Sequence, residues 1–197
     1  IKINEKGEVL WEYISNSTGR ARISDLVELD DGSIVLVGQD WSSEQAVALK
    51  LDLEGNRVWE TLYRPNNITS KYEFLNVVNL DNQLYVSSVV WGADCGFWCY
   101  NGTDFYLHTI SLTGGLVSDP QEIPALSGLT ITAVSELDIT STGALMISGK
   151  VRPENIDPNN PWARGAYLQL LDTNLDQLMT WNSVGSQSIY VNDVGDV

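Results

Sequence analysis

His108 is the only histidine in the chain, so any imidazole chemistry, as base or as metal ligand, has to pass through it. It sits in Phe105-Tyr106-Leu107-His108-Thr109-Ile110, where an earlier copy of the same segment has Leu49. That row is apolar, which predicts a packed, hydrogen-bonded histidine rather than a catalytic one. No Ser/His/Asp set, phosphate-cradling glycine loop or metal-ligand spacing accompanies it. Asp25, Glu136 and Asp193 recur at one position of a repeat. They could line a channel mouth around a cation, but Ca²⁺ needs six or more converging oxygens, so strand and turn capping is the simpler expectation. No catalytic residue, metal site or cofactor is assigned.

Cys95 and Cys99 are the only cysteines and flank Gly96-Phe97-Trp98. They can close a small loop disulfide in an oxidising compartment, and without a second ligand pair they do not read as a zinc site. Asn16, Asn67 and Asn101 each begin an Asn-x-Ser/Thr triplet, which would carry glycans in a secretory setting. Trp41, then Trp91, Phe97, Trp98 and Tyr100, then Trp162 with Arg152 and Arg164, fall in three successive connections. Flat rings with a few polar groups suit a protein- or carbohydrate-binding surface; the competing expectation is that they plug their own loops.

The elements that must hold these residues are strands. Ile1-Lys2-Ile3-Asn4-Glu5-Lys6-Gly7-Glu8-Val9-Leu10-Trp11-Glu12 matches Leu49-Lys50-Leu51-Asp52-Leu53-Glu54-Gly55-Asn56-Arg57-Val58-Trp59-Glu60 without a gap. Each reads strand, glycine turn, strand. Leu107–Val117 is a third copy, and Leu171-Asp172-Thr173-Asn174 begins a fourth. Between them, Ile23-Ser24-Asp25-Leu26 recurs as Phe74-Leu75-Asn76-Val77, Val134-Ser135-Glu136-Leu137 and Val191-Asn192-Asp193-Val194. Asp31-Gly32, Asp81-Asn82 and Thr142-Gly143 then supply hairpin turns.

Each unit is therefore four short strands, A to D, the first at 22–29, 33–38, 45–53 and 57–63. Repeats of about 40–50 residues with four strands each are the signature of β-propeller blades. The expected fold is all-β, a β-propeller or propeller fragment of antiparallel blades in one domain over 1–197. Complete blades fall at about 22–63, 73–118 and 133–181, with half-blade strands at 1–13 and 188–197. A sandwich or solenoid is the competing architecture. The B–C connections of the second and third blades are longer than the first by roughly 9 residues. B–C and D–A connections share one face, so the aromatics and the three Asn triplets decorate the same side.

These units resemble the propeller repeats of secreted and cell-surface bacterial proteins. Ala48-Leu49-Lys50-Leu51-Asp52 through Gly55 to Trp59 is similar to the tryptophan-docking repeat of quinoprotein-type propellers. That resemblance implies a Trp packed on the neighbouring blade, at Trp11 and Trp59 only; Ser118 and the region of Met179 depart from it.

Composition narrows the function. Lys+Arg number 11 against 26 Asp+Glu, a net charge of −15, which opposes a nucleic-acid backbone as partner. At 43% hydrophobic the chain can bury a core. No apolar run reaches about 18 residues, so no transmembrane helix is legible. The absence of a leader and of an initiating Met suggests a processed chain or a fragment. The resulting expectation is a non-enzymatic extracellular or cell-surface repeat module. It would bind protein or carbohydrate at the long-loop face, and open half-blades would pair with one another in a fibre. The alternative is part of an enzyme propeller, quinone-dependent or carbohydrate-active.

Overall fold

Alternating apolar residues and tight turns build only strands here. The computed structural model describes residues 1–14, 21–64, 71–91, 104–124, 127–154, 164–183 and 189–191, and among these there is no helix. A two-stranded ribbon comes first, β1 (Lys2–Ile3) with β2 (Val9–Trp11). The first sheet is β3 (Ala21–Glu28), β4 (Ile34–Asp40), β5 (Gln45–Leu51) and β6 (Arg57–Tyr63), paired in sequence order. The second is β7 (Lys71–Leu80), β8 (Gln83–Trp91), β9 (Asp104–Ser111) and β10 (Gln121–Glu122). The third is β11 (Leu129–Ile139), β12 (Leu145–Pro153), β13 (Gly165–Leu171), β14 (Gln177–Asn182) and β15 (Ile189–Val191). Every pairing is antiparallel.

The sheets stack face to face. Val35, Val37, Ala46 and Ala48 of the first meet Tyr72, Phe74, Leu84, Val86 and Ile110 of the second. The second sheet's other face, with Tyr85, Val89, Phe105 and Leu107, meets Leu137, Leu145, Ile147, Tyr167 and Leu171 of the third. Both faces of the middle sheet are thus covered, which explains why β8 is buried without alternation from Leu84 to Val90, Ser87 and Ser88 included. Burying one Val or Leu side chain contributes about 1.5–3 kcal/mol, so these two interfaces hold the stack together.

A repeated device ties each unit to the next. Gly55 has φ +83° and Gly114 φ +90°, a left-handed conformation that glycine adopts freely. The Trp11 indole lies on Gly55 and donates from Nε1 to the Leu53 carbonyl at 2.8 Å; Trp59 lies on Gly114 and donates to the Leu112 carbonyl at 2.9 Å. A Cβ on Gly55 would stand 2.6 Å from Trp11 Cδ2, and one on Gly114 2.8 Å from Trp59 Cδ2. Trp59→Phe keeps an aromatic ring and removes the donor, so it is expected to cost about 1 kcal/mol in urea unfolding. A variant as stable as the parent would show that the indole bond contributes nothing.

Two elements differ from expectation. The segment around Leu116–Ser118 was the expected outer strand of the second unit, but Leu116 makes only an isolated bridge to Ile110. The strand that pairs with β9 is the later, two-residue β10. Pro120 and Pro124 flank it and have no amide to donate. The final segment was expected to begin a further unit. Its Ile189–Val191 instead pairs with β14, through Trp181 with Ile189 and Met179 with Val191, and makes the third sheet five-stranded. The short connection from Asn182 favours such a hairpin over a crossing to another sheet.

Candidate functional site

Of the residues expected at a long-loop binding face, Trp41, Trp91, Arg152 and Arg164 lie within the described structure. Phe97, Trp98, Tyr100, Trp162, Cys95, Cys99, Asn16, Asn67 and Asn101 lie outside the described residues, as does Asp193. Trp41 follows β4 and is half exposed. Arg164 is exposed just before β13, while Arg152 is half-buried within β12 opposite Thr130. Trp91 closes β8 and turns inward, its Nε1 donating to Glu73 Oε2 at 3.3 Å. Its one polar handle is therefore engaged inside the protein and not offered to a ligand.

Glu73 is a site that sequence reasoning missed. Its side chain is buried on β7 between Tyr72 and Phe74. Ser24 Oγ donates to Oε1 at 3.1 Å, the Arg22 guanidinium stands 3.4 Å from the same oxygen, and Trp91 holds the other. A buried carboxylate needs such partners. The cluster joins β3 to β7 and β8 at one end of the stack. The only signal for it in the sequence was a Glu placed between two aromatics.

His108 is fully buried at the centre of the first interface. Its Nε2 is 2.9 Å from the Tyr72 hydroxyl and 2.8 Å from Ser88 Oγ, and those hydroxyls are 2.9 Å apart. Tyr63 and Phe74 pack edge-on against the ring at centroid distances of 5.0 Å each. Burial pushes its pKa down to about 3, so it is neutral at physiological pH. The Ser88–His108 distance is that of a nucleophile and its base. However, Ser88 is itself fully buried, and among the described residues Nδ1 has no partner to orient it. The triangle is a polar plug in an apolar interface, beyond the reach of a substrate.

At Asp25 the recurring acidic position has a structural role. Asp25 Oδ1 accepts from the Leu26 amide at 2.8 Å, and Oδ2 accepts from the Val77 amide of the second sheet at 3.0 Å. Asn76, at the equivalent place, reaches the Ser135 carbonyl of the third sheet at 3.5 Å. Glu136 is exposed. Asp25 and Asn76 thus stitch neighbouring sheets together beside a bulge, which leaves amides without ladder partners. Among the described residues no cluster of His, Cys, Asp and Glu is arranged to hold a metal ion.

A groove lies elsewhere. Among the described residues, the β1–β2 ribbon lies against the outer face of the first sheet. Between them runs an apolar groove of about 600 Å³, lined by Ile3, Tyr13, Leu26, Leu36, Val47 and Leu49 among others. Leu26 is 55% exposed and Ile3 58%, whereas Val47 and Leu49 at the floor of the groove are buried. The Lys2–Glu28 ion pair at 2.9 Å joins the ribbon to β3.

No protein-family profile matches the chain, and no curated protein matches it. Among solved structures, a protein of unknown function from Bacteroides caccae aligns at 11% identity and a TM-score of 0.48, over 92% of this chain and 73% of that one. The C-terminal domain of YpeB from Bacillus megaterium aligns at 12% identity and a TM-score of 0.19, over 85% of this chain and 90% of that one. Among the described residues no helix is long and apolar enough to cross a membrane.

Proposed function

We propose that this chain is a segment of a β-propeller that serves as a non-enzymatic, extracellular or cell-surface scaffold for binding and assembly. The observation that carries this reading is the unequal covering of equivalent faces. Between the first and second sheets, and between the second and third, apolar side chains are buried on both sides. On the outer face of the first sheet, Leu26 and Ile3 stay more than half exposed beside a groove, while Val47 and Leu49 at its floor are buried. Apolar surface of this kind, with strand edges beside it, favours association with further β-structure. The buried, neutral His108 and the inward-turned Trp91 add support, because the groups with the most chemical potential have structural occupations. A net charge of −15 keeps such a module dispersed until a matching surface is met.

Light scattering across a concentration series tests the reading. The expected mass rises above the 21.8 kDa of one chain as concentration increases, and falls again on dilution. A constant single-chain mass up to about 100 μM, a range in which even weak specific interfaces populate complexes, would remove assembly from the proposal.

A further inference from the structure

We infer that mild acid opens the contact between the first and second sheets, that His108 is the trigger, and that the contact between the second and third sheets stays closed. This goes beyond the scaffold reading above and does not rest on it. The argument comes from one row of the repeat. Leu49, His108 and Gln169 stand mid-strand in β5, β9 and β13, opposite Leu36, Val86 and Ile147. All three are buried. His108 faces the first sheet, with Tyr63 of β6 edge-on at 5.0 Å. Gln169 faces the second sheet, its Nε2 donating to the Pro124 carbonyl at 2.9 Å. Equivalent places in the two contacts thus hold a group that takes up a proton at moderate pH and an amide that does not.

The closed contact has no place for an imidazolium. A protonated ring donates from both nitrogens. Nε2 has the Tyr72 and Ser88 hydroxyls, but Nδ1 has no partner among the described residues. The titratable groups packed about the ring are phenols: Tyr63 from β6, Tyr72 from β7, and Tyr106 of β9 against the same cluster. Burial raises the pKa of each, so they stay neutral in acid and offer no counter-charge. The ring therefore has to meet water before it holds a proton. Departure of β3–β6 uncovers it and breaks one apolar contact, because the other face of the second sheet stays packed on Leu137, Leu145, Ile147 and Tyr167. Global unfolding breaks both contacts and costs more. Asp25, Glu44 and Glu73, with Arg22 and Lys71, also bridge the first two sheets, so the test has to separate their charges from the imidazole.

Native-state hydrogen exchange, corrected for the intrinsic pH dependence of amide exchange, reads the opening strand by strand. A ring that regains the ordinary histidine pKa when uncovered makes opening of β4 and β5 about thirtyfold more frequent at pH 5 than at pH 7.5. The amides of β12 and β13 are expected to exchange through a rarer opening at both pH values. His108→Gln supplies the residue type that the third sheet has in this row. It is expected to remove the thirtyfold change while Asp25, Glu44 and Glu73 remain. His108→Leu, with the residue type of the first sheet, serves as the second variant, and near-ultraviolet circular dichroism establishes that each is folded. In the parent, the ring proton resonances of this sole histidine are expected to show no titration at about pH 6.5 while β4 and β5 stay protected.

Equal protection of β4 and β5 at the two pH values overturns the inference. So does a single opening shared by β4, β5, β12 and β13, which would mean that the chain opens as a whole. A pH dependence that persists in both variants assigns the opening to the carboxylates and removes His108 as the trigger. A ring that titrates at its ordinary pKa inside a protected first sheet shows that the closed contact accepts the charge, and the inference falls without recourse to any variant.

Discussion

Gly38→Ala is expected to destabilise the chain by about 2–4 kcal/mol, the cost of forcing a side chain into a filled backbone site. Gly38 pairs with Ile23, at the register shift in β3 between Ile23 and Asp25. The shift brings the Arg22 carbonyl over the glycine. A Cβ there would stand 1.9 Å from that oxygen and 3.0 Å from the Ile23 Cα. Backbone on both strands is held by the ladder, so neither can retreat cheaply. The third sheet repeats the arrangement, with a Cβ on Gly149 falling 2.0 Å from the Ala133 carbonyl oxygen. For a chain of this size the change lowers Tm by about 2–4 °C per kcal/mol. Gly115→Ala serves as the comparison, because its nearest neighbour is the Ser111 Oγ at 3.7 Å. Scanning calorimetry showing equal Tm values for the two variants would mean that the bulge relaxes and that the close approach carries no constraint.

His108 is expected to make the chain progressively less stable as the medium is acidified below about pH 6.5, the ordinary histidine pKa. In the folded protein burial pushes its pKa down to about 3. Between those values the unfolded chain binds a proton that the folded chain does not, so stability rises with pH and is lost as pH falls. One such proton changes stability by about 1.4 kcal/mol per pH unit. Asp31, Asp40 and Asp52 also have lowered pKa values, through hydrogen bonds from Ser33, from Ser43 and from the Asn56 amide respectively. Their contribution is present above the usual carboxylate value and disappears only below it. The window from about pH 4.5 to 6.5 therefore belongs to the histidine among these shifted groups. His108→Leu places in the second sheet the residue that the first has at Leu49, and Tyr72 and Ser88 retain each other as partners. Urea unfolding of parent and variant across this window is expected to diverge, with the parent losing stability faster toward acid. Parallel curves would show that the imidazole is protonated in the folded state at ordinary cost.

Much of the architecture was legible because strands are written locally. The alternation in Leu49-Lys50-Leu51 and the Asp31-Gly32 and Asp81-Asn82 turns define β5 and two hairpins. Asp81 and Asn82 indeed take φ +52° and +60°. The packed state of His108 also followed from its alignment with Leu49, because a residue's row in a repeat dictates its depth. The candidate site was less legible. Trp91 looked like a surface ring until Glu73 was found beside it, and Glu73 drew no notice because its partners, Arg22, Ser24 and Trp91, come from two other strands, β3 and β8.

Local chemistry was enough to specify four-stranded antiparallel units, since side-chain alternation and turn residues act over a few positions. Which strand edges pair and which faces stay open was settled only when the units came together. The apolar pair Leu116–Val117 suited a strand, yet β9 selected Gln121–Glu122; Ile189–Val191 suited a new unit, yet it joined β14. Edge pairing depends on what else competes for the same backbone groups, and covering of a face depends on residues far away in the chain. Neither is a property of the segment concerned.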